Sequence, residues 1–178
     1  MRYLKAIGFF LVLSSIFTSC NTATENVVYY SKDELKNNLV VNVNDSDGVL
    51  IPVKSKTTLS LMSSSFFQEN LIYLKDIYVT KLCYKVKNFT PNSSVFLSNI
   101  RLFLDEMPIT NYMTPNLLKT TNNNVEFIIT NQELLSNIAS KLLNKKEVVV
   151  SFESDAISSS QLNFDVEFSI TAKGVFVD

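Results

Sequence analysis

Along most of the chain, hydrophobic and polar positions alternate with a period of two. Phe164, Val166, Phe168 and Ile170 alternate with Asp165, Glu167 and Ser169, the pattern of a strand with one buried and one wet face. Ile100, Leu102 and Leu104 alternate with Arg101, Phe103 and Asp105, and Val125, Phe127 and Ile129 with Glu126 and Ile128. The stretch Ile77 to Val86 is rich in β-branched and aromatic residues; it puts Leu82, Tyr84 and Val86 on one face and Cys83, Lys85 and Lys87 on the other. Further strands are expected over 39–43, 49–53 and 57–62. The Asp47-Gly48 step between the first two predicts a hairpin turn. Pro52 has no amide donor, so its strand is expected at a sheet edge. Strand after strand with polar turns between them predicts a mainly β fold. The expectation is an antiparallel β-sandwich, immunoglobulin-like or similar, forming a single domain over 31–178.

Two segments break the period. Ser31-Lys32-Asp33-Glu34 has the form of a capping box and predicts a short helix. Thr130-Asn131-Gln132-Glu133 repeats the pattern and is followed by Leu134, Leu135, Ile138, Ala139, Leu142 and Leu143 at helical spacing. That predicts one amphipathic helix near 131–144, with Lys141, Lys145 and Lys146 toward its C-terminus, where the helix dipole favours cations. A single apolar stripe suits a helix that covers an open end or edge of the sandwich. The segment from Asp105 to Asn124 is mostly non-periodic and holds two prolines and an Asn run. Long loops of this kind are often functional, and Tyr112 and Met113 are its candidate contact residues.

The N-terminus reads as an address. Arg2 and Lys5 precede the uncharged apolar run Ala6 to Leu13, which is too short to span a bilayer, and small or polar residues follow up to Cys20. Ile16-Phe17-Thr18-Ser19-Cys20 resembles a bacterial lipobox, with Phe17 departing from the usual Leu. The resemblance is to bacterial lipoprotein precursors and covers the first 20 residues. It implies a signal peptide over 1–19, an acyl lipid such as palmitate on Cys20, a spacer over 20–30, and residence in the bacterial cell envelope at the outer membrane, on a face left open. The Asn-, Ser- and Lys-rich style of the remainder looks like small Bacteroidota outer-membrane lipoproteins, whose roles include accessory subunits of membrane complexes.

Composition narrows the chemistry. The chain has 178 residues, 46% hydrophobic, with no His, no Trp and two Cys. Absence of His removes every Ser-His or Cys-His nucleophilic pair and every His metal ligand. The three glycines stand at 8, 48 and 174, so no phosphate-cradling glycine loop can be assembled. Arg2 and Lys5 are the only charges in the first 19 residues, so the 16 basic residues become 14 in a mature chain, against 17 acidic ones, a net charge of −3. That balance gives little electrostatic drive toward nucleic acid.

With Cys20 acylated, Cys83 has no disulfide partner in the chain and reads as a half-buried strand thiol. Acidic pairs such as Asp45/Asp47, Asp105/Glu106, Glu153/Asp155 and Asp165/Glu167 read as solvated stripes or turns. Asn42 to Gly48 resembles the start of an EF-hand loop, yet Val43 and Lys54 stand where its key oxygens belong. No catalytic, cofactor or metal residue is therefore assigned, and the expected role is a non-catalytic binding or accessory subunit. Its partners are then the membrane, through Cys20, and another envelope protein, with unpaired edges near the Pro52 strand able to accept a partner strand. The alternatives are a surface adhesive or glycan-binding module and, third, a carboxylate-dependent hydrolase.

Overall fold

A computed structural model of the chain describes residues 27–90, 94–110 and 126–177. Its strands are β1 (Val28–Val43), β2 (Ile51–Ser60), β3 (Leu74–Lys87), β4 (Val95–Leu104), β5 (Met107–Thr110), β6 (Phe127–Ile129), β7 (Glu147–Ser158) and β8 (Leu162–Val177). Between β2 and β3 lie two 3-10 turns, Leu61–Ser63 and Leu71–Tyr73, flanking helix α1 (Ser65–Asn70); helix α2 (Gln132–Lys145) joins β6 to β7. The strands form two antiparallel four-stranded sheets, in the orders β1-β8-β3-β6 and β2-β7-β4-β5. The expected antiparallel sandwich is present. Consecutive strands change sheets except at the β4–β5 pair, and this strand order is that of an eight-stranded jelly roll rather than an immunoglobulin domain.

The core lies between the sheets. From the first sheet come Leu82, Tyr84 and Val86 of β3 and Phe164, Val166, Phe168 and Ile170 of β8; from the second come Val148, Val150 and Phe152 of β7 and Leu102 and Leu104 of β4. Each set is every second residue of its strand, so the period of two alone delivers the core face. Phe164 contacts Phe152 edge-to-face across the sheets, with ring centroids 5.7 Å apart. β1 and β2, the edge strands on one side, lie alongside each other, and Asn37 Nδ2 donates to the Thr58 carbonyl at 2.7 Å. The Pro52 strand is an edge strand, as expected, and β1 of the other sheet runs beside it at Thr58.

On the other side α2 closes the sandwich. Leu135, Ile138, Ala139 and Leu142 are buried against β3 and β7. The N-cap is Asn131 rather than Thr130: its side chain accepts from Leu134 N at 2.9 Å. Lys146 ends the helix in the left-handed region, with φ 66°.

Several expectations are corrected. The capping box at Ser31 to Glu34 lies in the middle of β1, paired residue for residue with Gly174 to Thr171 of β8. Long-range pairing overrides the local cap propensity, and the Asp33 carboxylate accepts from Glu34 N and from the Ser64 hydroxyl. Val28, Tyr29 and Tyr30, read as the end of a spacer, are already strand. The Asp47-Gly48 turn exists, with φ of 50° and 77°, but its flanking strands pair in different sheets and form no hairpin. The expected strands at 49–53 and 57–62 are one strand, β2. Part of the expected loop after Asp105 is strand β5, which forms a two-residue hairpin with β4. Cys20, Tyr112 and Met113 lie outside the described residues.

Candidate functional site

The long axis of the sandwich has two distinct poles. At one, β1 begins, β8 ends and the α1 region crosses between the sheets. At the other lie the turn from Asn44 to Leu50, the turn between β7 and β8, and the start of β4. The second pole carries an apolar row on the outer face of the second sheet. Phe96 and Ile157 are register partners, and Leu50 lies beside Ile157 because the next pair is Ile51 with Ala156. Phe96 is 63%, Leu50 56% and Ile157 38% exposed.

Phe96 reaches this face through a backbone irregularity. It has the same parity as Ile100, Leu102 and Leu104, all buried, so strict alternation would point it inward. Between Ser98 and Arg101 the register with β7 slips by one residue, with Asn99 at φ 52°. This β-bulge reverses the phase: Val95 and Leu97 pack toward the core and Phe96 turns out. The Asn99 amide donates to Asp155 Oδ2 at 2.7 Å and fixes the bulge.

Leu50 is held from the other side. Ser46 N donates to the Ser158 carbonyl at 2.9 Å, Ser158 N donates to Ser46 Oγ at 2.9 Å, and Val49 N donates to the Ser46 carbonyl at 2.8 Å. These bonds pin the turn that presents Val49 and Leu50. The next rows along the sheet are polar. Asp155 is followed by Glu153, which pairs with Lys54 at 2.9 Å and Arg101 at 3.1 Å. An exposed apolar patch with a polar rim is the makeup of a protein-docking surface.

The acidic pairs singled out in the sequence are accounted for by neighbours. Glu153 and Asp155 share the outer face just described. Glu167 meets Lys85 at 3.0 Å and Lys87 at 2.5 Å, and Asp165 accepts from the Asn88 amide at 2.6 Å. The Lys87 hydrogen bond, followed by Lys85, holds the Glu167 carboxyl below its ordinary value against the opposing effect of burial. Asp45 accepts from Asp47 N at 2.9 Å in the turn. Among the described residues no three of His, Cys, Asp and Glu gather into a metal-binding group.

Asp105 and Glu106 line a shallow groove of about 380 Å³ with Lys56, Lys141 and Lys145. Asp105 is committed there to Val149 N and Lys141. Cys83 is buried rather than half-buried, 2% exposed, on the outer side of β3 between Ser169 and Ile128. Burial pushes its thiol up, more than the Lys81 hydrogen bond draws it down.

Sequence reasoning did not find the apolar row, because its members come from three separate segments. The one available signal was Ile157, a large apolar residue at the outward parity of β7. No protein-family model matches the chain, and no curated protein matches it. Among solved structures it is similar to the decameric BFDV capsid protein, with TM-score 0.49 and 8% identity over 82% of this chain and 99% of that one. It is also similar to the protein of the semi-empty virus-like particle of the giant freshwater prawn Macrobrachium rosenbergii nodavirus, with TM-score 0.41 and 9% identity over 88% of this chain and 97% of that one.

Proposed function

We propose that this protein is a lipid-anchored lipoprotein of the bacterial cell envelope, acting as a non-catalytic binding subunit of a membrane-associated protein complex. The anchor is the acylated Cys20, and the working part is the jelly-roll domain. The reading is carried by one observation: the exposed row Leu50, Ile157 and Phe96, presented by a pinned turn and a fixed bulge at the pole opposite the start of β1. Burying large apolar side chains at the centre of a contact is the usual source of docking energy, at about 25 cal/mol per Å² of apolar surface.

Native extraction of the full-length protein from its own membranes in mild detergents tests this reading. The wild type is expected to migrate in an assembly well above monomer size, and Phe96→Asp to migrate as a monomer that still carries its acyl group. A wild type that is monomeric in every detergent tried would overturn the proposal.

A further inference from the structure

We infer that the pole at which β1 begins docks on the surface of a phospholipid bilayer, with Val27, Val28, Tyr30 and Ile72 entering the headgroup region. The inference rests on acylation of Cys20 and adds an orientation to it.

Chain length supplies the first argument. Six residues, 21–26, separate Cys20 from Val27, and even fully extended they reach only about 25 Å. β1 alone, 16 residues long, extends about 50 Å. A domain tethered at this pole therefore keeps it within half a strand length of the lipid, and the tether supplies a high local concentration for a weak surface contact.

The second argument is composition. Ile72 is 82% exposed, and Val27, Val28 and Tyr30 are also exposed. They stand at one end of the molecule because Tyr29 pairs with Phe176, and Phe176 with Leu74, two residues after Ile72. Lys173 Nζ lies 4.6 Å from the centre of the Tyr30 ring, and Lys32 and Lys75 are exposed nearby, balanced by Asp33, Glu69 and Asp76. Aromatic and aliphatic residues with basic neighbours are the mixture that settles at a membrane interface. The opposite pole is apolar too, but Asp45, Asp47, Asp155 and Asp165 surround it. The first end thus carries balanced charge and the second an acidic surplus, so an anionic bilayer repels the second end more.

The third argument is rigidity. Tyr29 stacks on Phe176 at 5.2 Å, Phe66 meets Phe176 edge-on at 5.3 Å, and Tyr29 Oη donates to Asn70 Oδ1 at 3.2 Å. With its interior filled by these rings, the pole has no space into which its exposed apolar residues could fold back.

The chain has no tryptophan, so Ile72→Trp and Phe96→Trp each introduce one fluorophore at one pole. The full-length acylated variants are to be placed in vesicles of phosphatidylethanolamine and phosphatidylglycerol containing brominated lipid. Ile72→Trp is expected to show blue-shifted emission, quenched several-fold more strongly than that of Phe96→Trp. Equal quenching of the two in acylated, vesicle-bound protein would overturn the docking while leaving the anchor intact. Mass analysis showing no acyl group on Cys20 would overturn the anchor and the docking with it.

Discussion

Asp105 and Lys141 form an ion pair, Oδ2 to Nζ at 3.1 Å, that ties the β4–β5 turn to helix α2. The other carboxylate oxygen of Asp105 accepts from Val149 N at 2.8 Å, while Asp105 N donates to the Val149 carbonyl at 2.8 Å. One residue thus joins a hairpin, a neighbouring strand and the closing helix. It does so with φ 42°, and Glu106 follows at 72°, the left-handed pair that a two-residue hairpin needs.

Asp105→Ala is expected to destabilise the fold by about 2 kcal/mol, since it removes the acceptor for Val149 N and the partner of Lys141 together. Asp105→Asn keeps the acceptor and tolerates the left-handed region, so its cost is expected to be about half as large. Urea denaturation of the two variants separates these values, and equal losses would show that the Val149 contact contributes nothing.

The two glycines of the folded domain make opposite demands. A Cβ on Gly174 would stand 2.5 Å from the Phe176 ring and 2.8 Å from Phe67, both fully buried. Gly174→Ala is therefore expected to cost about 1–3 kcal/mol through overpacking. Gly48 has open space around it but φ +77°, so Gly48→Ala is expected to cost about 1 kcal/mol through backbone strain. Gly48→Asn should recover part of that loss in the same thermal melts, whereas Gly174→Asn should be worse than Gly174→Ala.

Cys83 is expected to resist a thiol reagent at neutral pH in the folded protein and to react at once in denaturant. The cause is its burial, which raises the thiol pKa and bars access. The labelling rate measured against denaturant then reports opening of the β3 region. Fast labelling of the native chain would show that the outer cover from Ser169 and Ile128 opens readily.

Acid sensitivity should follow Glu34 and Glu167. Lys36 lowers the first and Lys87 the second below the ordinary value of 4.5. A carboxyl whose pKa is lower in the folded chain than in the unfolded one contributes stability that is whole above the unfolded value. That contribution is lost as pH falls through the folded value. Tm is thus expected to be level with respect to these two groups from pH 7 down to near 5 and to fall below about pH 4.5. Glu167→Gln should make the acid fall shallower, and an unchanged slope would assign it to other carboxylates.

The parts of the fold legible in the sequence are those whose pattern and pairing agree. β8 was readable because Phe164 to Ile170 alternate without interruption, and α2 because its stripe and its cap coincide to within one residue. β7 was hidden by the run Val148-Val149-Val150, in which the exposed Val149 masks the alternation. Ser31 to Glu34 misled because a capping box is a local signal, whereas β1 is fixed by a partner strand some 140 residues away in sequence. The hairpin expected at Asp47-Gly48 failed for a related reason: the turn chemistry was correct, but the choice of sheet is set by the whole strand order. The Leu50, Ile157 and Phe96 row needed both that order and a register slip before its members could be seen as neighbours.

The slip at Asn99 makes the makeup of the candidate surface a matter of counting backbone units rather than of choosing side chains. Pairing β4 with β7 at unchanged length but without this bulge would carry strict alternation through to Val95, turning Phe96 toward the interior and Val95 and Leu97 toward solvent. No side chain in the row would change, yet the row would lose its aromatic member. Deleting Asn99 itself would remove the extra residue together with the bulge and leave Phe96 outside, so the row depends on chain length and bulge staying matched and not on its side chains alone.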